Sequence, residues 1–216
     1  MPAHGLGSDE MALRCYRIPF STNVERVALA AGHKGLAVEW IDVDPDDRSP
    51  VAAVSGQTRV PVLEADGLVL ADSPTILEWL EERYPDPPLL PADPARRAEV
   101  RVFVDWFNRV WKRFPNEIEG QLVDAEPDPT TSVEALSAEM HEAVGLFEAL
   151  LDGRNYLYGD FGLADVTAFP FLKYASLGLP AGDDDLFHRI LVEHMPLAPG
   201  SPLHAWIARV DARRRS

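Results

Sequence analysis

Apolar positions along the chain follow two rhythms. Up to about residue 70, short β-like runs surround one helical pattern; from about residue 95 the spacing is helical throughout. Met11 to Ile18 reads as a strand. Val24, Val27, Ala28 and Ala31 recur at i, i+3, i+4 and i+7, which predicts a helix with one apolar face and Gly32 as its C-terminal stop. Val38 to Val43, β-branched and aromatic, predicts a second strand. Asp44 to Gly56 is polar and proline-containing, so it reads as a loop or an irregular short helix. Val60 to Glu64 and Leu68 to Leu70 flank Ala65-Asp66-Gly67, a hairpin signal. Ser73-Pro74 then opens a helix as N-cap and first-turn proline, with Ile76, Trp79, Leu80 and Tyr84 on its buried face.

The order β-α-β-loop-β-β-α is a thioredoxin-like arrangement. It ends at Pro85-Asp86-Pro87-Pro88-Leu89-Leu90-Pro91-Ala92-Asp93-Pro94, where five prolines in ten residues exclude a helix or a central strand. That stretch reads as an extended linker. The organisation expected is an α/β thioredoxin-like domain over 11–85, a linker over 86–94 and an all-helical domain over 95–216. In the last of these, Asp93-Pro94 and Ser201-Pro202 repeat the N-cap and proline signature. Val100, Phe103, Val104, Phe107, Trp111 and Phe114 line one long helix. Val133, Leu136, Met140, Val144, Phe147 and Leu151 line a second, and Leu203, Trp206, Ile207 and Val210 a last. Together they predict an all-α bundle.

Composition narrows the function. The 216 residues carry 35 Asp plus Glu against 20 Lys plus Arg, a net charge of -15. A phosphate-backbone binder needs the opposite balance, so neither nucleic acid nor an anionic membrane is expected as a partner. The single cysteine, Cys15, excludes an internal disulfide and CxxC pairs, and it reads as a buried strand residue. No run of apolar residues is long enough to span a bilayer. The first ten residues lack an apolar core, so they read as a disordered lead-in rather than a signal peptide, and a cytoplasmic home is expected. The six histidines show no metal-ligand spacing, so no metal site is expected. GxSxG, GxGxxG and Walker-type loops are absent.

Three segments can carry chemistry. Ile18-Pro19-Phe20-Ser21-Thr22 precedes the first helix, whose N-terminus offers free N–H groups and about half a positive charge. A thiol bound there would have its pKa lowered, and the Ser21 hydroxyl, with Thr22 in reserve, could donate to the thiolate. Alternatively, either residue is only an N-cap. Thr58-Arg59-Val60-Pro61 suits a cis Val60-Pro61 bond that exposes the Val60 backbone to an extended peptide, or else an ordinary trans proline at a strand start. In Asp72-Ser73-Pro74, an acid, a hydroxyl and a helix N-terminus can hold both charges of an amino acid, ammonium on Asp72 and carboxylate on Ser73.

These segments, with Gly56-Gln57-Thr58-Arg59-Val60-Pro61-Val62-Leu63, Asp72 to Leu80, Tyr84-Pro85 and Gly162-Leu163-Ala164-Asp165-Val166, resemble the glutathione transferase family in order and spacing. The resemblance runs from about residue 12 to 172 and implies a glutathione-binding domain with a serine-type active site. It implies Ser21 as the thiol-activating hydroxyl and Val60, Asp72 and Ser73 as glutathione contacts, with glutathione as co-substrate and no metal; Pro61 and Arg59 are added as candidate contacts, with Gln57 the alternative to Arg59. A small-molecule electrophile would sit between Phe20 and a helix face carrying Trp106, Arg109 and Arg113; that face reads equally as a solvated basic surface. The resemblance also implies a homodimer. The other readings are a non-catalytic binding module on the same fold and a glutathione-dependent isomerase or peroxidase.

The sequence departs from the family pattern at three places. Gly162 stands where a Ser or Thr usually caps the core helix. Val54-Ser55-Gly56 replaces the commoner Asn-Pro pair, and Pro170 inside the core-helix pattern predicts a kink.

Overall fold

The computed structural model describes residues 13–124, 126 and 128–216. The expected lead-in and the first two residues of the expected first strand lie outside them.

The first half forms one four-stranded sheet. Its strands are β1 (Leu13–Arg17), β2 (Val38–Asp42), β3 (Val62–Ala65) and β4 (Leu68–Ala71), in the order β2-β1-β3-β4. β1 pairs parallel with β2 through the crossover helix α1 (Thr22–His33), and antiparallel with β3. β3 and β4 form the hairpin, with Asp66 and Gly67 both at positive φ, as a two-residue turn of that twist requires. Side chains alternate across the sheet. Leu13, Cys15, Leu63 and Ala65 share a core with Val27 and Ala30 of α1 and with Ile76, Leu77 and Leu80 of α3 (Ser73–Arg83). Tyr16 and Val62 point the other way, onto Val51 of α2 (Ser49–Ser55). Of the two readings for Asp44 to Gly56, the short helix is the one present.

Two terminus assignments differ from the sequence reading. α1 does not stop at Gly32: it runs to His33, and the left-handed residue after it is Gly35, at φ +68°. Gly32 is small for another reason, since a Cβ there would lie 2.2 Å from the Arg214 carbonyl oxygen. Likewise Ser73 is not the N-cap of α3. Asp72 holds that position at φ 78°, and Ser73 is the first helical residue.

The second half packs α4 (Pro94–Trp106), α5 (Arg113–Val123), α6 (Val133–Leu150), α7 (Leu163–Leu172), α8 (Tyr174–Leu177), α9 (Leu186–Glu193) and α10 (Pro202–Asp211). Asp93, Ser132, Asp185 and Ser201 cap their helices by accepting backbone N–H groups. α4 and α5 are one rod interrupted by a π-turn, Phe107–Trp111. Pro115 has no N–H to give the Trp111 carbonyl, and just upstream Lys112 N–H donates to Phe107 O, five residues back. α7 passes through Pro170 and ends two residues later. At its start the Gly162 N–H donates to the Asp165 carboxylate at 3.0 Å. A Cβ at Gly162 would lie 2.6 Å from Leu89 O, so a larger cap residue does not fit. Among the described residues no helix is long and apolar enough to cross a membrane.

The linker and the last residues are both tied to the first half. Lys34 Nζ bonds Glu81 and the Tyr84 carbonyl, each at 2.6 Å, which pins the linker to the first half. The last residues fold back onto α1 and β2. Ser216 N–H donates to Ala28 O at 3.1 Å, Trp40 Nε1 donates to Ser216 O at 3.0 Å, and Arg215 pairs with Glu25 at 2.9 Å.

Candidate functional site

The first turn of α1 faces the helical half across a cleft of about 320 Å³. Ser21 is the N-cap, and its Oγ accepts the Val24 N–H at 3.4 Å, a long bond that leaves the hydroxyl hydrogen unused. Thr22, behind it, is buried. Val60 enters the cleft from one residue before the Pro61 step into β3, and the Val60-Pro61 bond is cis. The ladder between β1 and β3 begins at Val62, so Val60 stands outside it. Arg59 is exposed, and its backbone is clamped by Gln57, which accepts the Arg59 N–H at 2.6 Å and donates to its carbonyl at 2.8 Å.

Ser73 is only 1% exposed, and its hydroxyl donates to Asn23 Oδ1 at 3.3 Å. Asn23 and Arg26 organise this corner. Arg26, also 1% exposed, sends Nε to Thr167 O at 2.9 Å and Nη1 to Asn108 Oδ1 at 2.9 Å and to Ser73 Oγ at 3.3 Å. It therefore joins α1, α3, α7 and the π-turn. Burial pushes its pKa down to about 9, opposed by the charge of Asp72. The Asp72 carboxylate is exposed and does not cap its own helix, so it is available beside Ser73.

Lys112 supplies the cleft's least expected charge. Its Nζ donates to Asn23 Oδ1 at 3.3 Å and lies 4.9 Å from the centroid of the Phe171 ring. Burial, with repulsion from Arg26, pushes its pKa down to about 7, against the pull of Asp72. With the α1 N-terminus it gives the cleft a positive wall beside Ser21, in a chain of strongly negative net charge. Asn116 and Glu119 follow Lys112 at i+4 and i+7 on the same wall.

The expected second-substrate residues are elsewhere. Arg109 pairs with Asp105, and Arg113 with Glu117, on the outer face of the rod. Trp106 packs on Phe103 and Phe147 and borders a separate groove between α4 and α6. Asn108, Lys112 and Asn116, each four residues from the next, lie on the inward side of the rod, where Asn108 and Lys112 bond Arg26 and Asn23. Phe20, at φ 59° and 41% exposed, turns toward a different groove, with Trp40, Lys173 and Arg215. Cys15 is fully buried in β1, and burial pushes its thiol up to about 12, so it offers no nucleophile to the cleft. Among the described residues no group of three His, Cys, Asp or Glu side chains is placed to hold a metal ion.

Sequence reasoning passed over Asn23, Arg26 and Lys112. The available signal was a polar pair, Asn23 and Arg26, at i and i+3 in the first turns of α1 and so on one face of it. Lys112 follows a run of aromatic residues and gives no such signal.

Comparison with known proteins bears on this arrangement. The family model for the glutathione S-transferase N-terminal domain matches residues 16–88. The FtsZ-localized protein A of Caulobacter vibrioides is 31% identical over 182 residues, covering 73% of this chain and 75% of that protein. A crystal structure of a glutathione S-transferase from Rhodospirillum rubrum F11 superposes with a TM-score of 0.67 at 31% identity, covering 93% of this chain and 88% of that one. The chain belongs to the glutathione S-transferase family. The maleylacetoacetate isomerase of Pseudomonas aeruginosa is 42% identical over 96 residues, 41% of this chain. That match spans 45% of the isomerase, less than half its length. Family membership accounts for the four-stranded sheet followed by helices.

Proposed function

We propose that this family member is a glutathione transferase: it binds glutathione along Val60, Asp72 and Ser73, holds the thiol as thiolate at Ser21, and directs it at a small electrophile in the cleft. The observation that supports this most is the meeting of Ser21, the α1 N-terminus and the Lys112 ammonium on one cleft. All three favour an anion at the position where a thiolate would lie. Arg59 and Pro61 complete the contact surface for the peptide. The electrophile is assigned to the wall formed by Lys112, Asn116 and Phe171, in place of Trp106, Arg109 and Arg113.

The same reading keeps a glutathione-binding unit over 11–85, a linker over 86–94 and a helical unit over 95–216. It also keeps a cytoplasmic home and a homodimer. The dimer is supported by large apolar side chains left exposed on β4, Leu68 and Val69, and on α4, Val102. A second reading, glutathione-dependent isomerisation, is favoured by the resemblance of part of the chain to a maleylacetoacetate isomerase. It uses the same thiolate site.

Retention on immobilised glutathione, followed by conjugation of glutathione to chlorodinitrobenzene, tests the proposal. Retention with turnover is expected. Retention without turnover on any electrophile would leave only a binding module, and no retention would remove the glutathione site.

A further inference from the structure

The cleft that holds Ser21 has a second reactive group on its far wall. His188, on the first turn of α9, lines it and is only 4% exposed. Its Nδ1 lies 2.9 Å from each oxygen of the buried Asp183 carboxylate. Its ring stacks on Tyr174, with centroids 4.6 Å apart and planes 13° from parallel. Tyr174 donates its hydroxyl to the same carboxylate at 3.2 Å, and the Asp185 N–H donates to it at 3.3 Å. An acceptor surrounded by donors fixes the tautomer: Nδ1 carries hydrogen toward Asp183. Nε2 is the free position. It makes no hydrogen bond among the described residues, and it is not among the buried polar atoms left without a partner. It is therefore open to the cleft. An imidazole oriented by a carboxylate on one side and free on the other is the arrangement of a proton donor or acceptor.

We propose that His188 is a catalytic residue of this cleft, the proton donor to the enolate that forms when the thiolate adds to an α,β-unsaturated carbonyl compound. Asp183 is its positioning residue. This rests on the glutathione transferase reading. Glutathione loses its thiol proton to solvent. The sulfur lone pair then forms the C–S bond at the β-carbon, and the C=C π pair moves onto the carbonyl as an enolate. His188 enters this step as the imidazolium, with Nδ1–H on Asp183; its Nε2–H gives a proton to the enolate, and the neutral Nδ1–H imidazole left behind takes up the proton that the thiol released to solvent. The sum is thiol plus alkene to thioether, with no other reactant. Displacement of halide from an activated arene needs no such proton. The two reaction types therefore separate the role of His188 from that of the thiolate site.

The test compares turnover of benzalacetone, an enone, with turnover of chlorodinitrobenzene, both with glutathione. In His188→Gln the ratio of enone to arene turnover is expected to fall by about 10²-fold, the usual size of a lost general acid. Asp183→Asn keeps the shape but removes the charged acceptor, and it is expected to lower the same ratio by about 10-fold. If His188→Gln does not fold, Asp183→Asn alone decides. An unchanged ratio would show His188 to be only a packing residue of α9 and would overturn the proposal. So would a wild-type protein active on the arene and inert toward the enone. A wild-type protein inert toward both would overturn the transferase reading, and this inference with it.

Discussion

Lys112 Nζ donates to Asn23 Oδ1 across 3.3 Å, and this bond joins the long rod of the helical half to the first turn of α1. It is a cation held by a neutral acceptor, and its electrostatics can be measured. The folded-state pKa is about 7, against 10.5 for the free group. Between those values the unfolded chain binds the proton and the folded chain does not, so this group makes stability rise with pH across that window. Below about 7 both states are charged, and the full cost of burying the ammonium is present. Lys112→Met is therefore expected to stabilise the protein on the order of 1–3 kcal/mol more at pH 6 than at pH 10. Urea unfolding of both proteins at the two pH values checks this, and a pH-independent difference would mean that Lys112 is well solvated.

Replacing Ser21 removes the hydroxyl without disturbing the fold around it. Ser21→Ala is expected to slow conjugation by ~10-fold or more while costing about 1 kcal/mol of stability for the lost cap. Cys15→Ala is expected to act the other way, lowering stability through a small cavity and sparing turnover. Steady-state kinetics beside thermal unfolding distinguishes the two, and a dead Cys15→Ala would overturn the assignment. Thr22 is the alternative hydroxyl if Ser21→Ala retains its rate.

Asp72 has its carboxylate free beside Ser73. Asp72→Asn keeps the size and removes the charge that would meet an ammonium. Glutathione affinity is expected to drop by ~1–3 kcal/mol in titration calorimetry. Equal affinity in both proteins would leave Asp72 as a backbone position only.

Asp165 is the polar centre of the helical half. Its carboxylate accepts the Leu157 N–H at 3.0 Å, the Gly162 N–H at 3.0 Å and the Trp206 indole N–H at 2.7 Å. Asp165→Ala would orphan three donors at once, two of them buried, and is expected to cost ~3–5 kcal/mol. Denaturant unfolding that moves by less than about 1 kcal/mol would mean the site repacks.

What the sequence disclosed follows the range of the forces involved. Caps such as Asp93 and Ser201, the Asp66-Gly67 turn and the apolar stripes of α6 and α10 depend on neighbours in sequence, so pattern reveals them. The same holds for Ser21, which is placed by the start of its helix. Gly32 was misread because its reason is the Arg214 backbone, 182 positions away in sequence terms and adjacent in space. Lys112 gave no signal in the sequence because its partner, Asn23, lies 89 positions away on α1. Arg26 could not be read as a junction, because its partners Thr167, Asn108 and Ser73 come from three separate elements.

The fold-back of the last residues bears on how the protein is handled. Ser216 is bonded to Ala28 and Trp40, and Arg215 to Glu25. A segment joined to Ser216 starts from a seam between α1 and β2, not from loose chain. Its first residues would compete with those bonds for the strand that flanks β1. Deleting Arg215 and Ser216 would open the same seam. Immobilisation for binding measurements is therefore better made through an engineered surface position on the outer face of the rod, such as Arg109, than through the seam at Ser216.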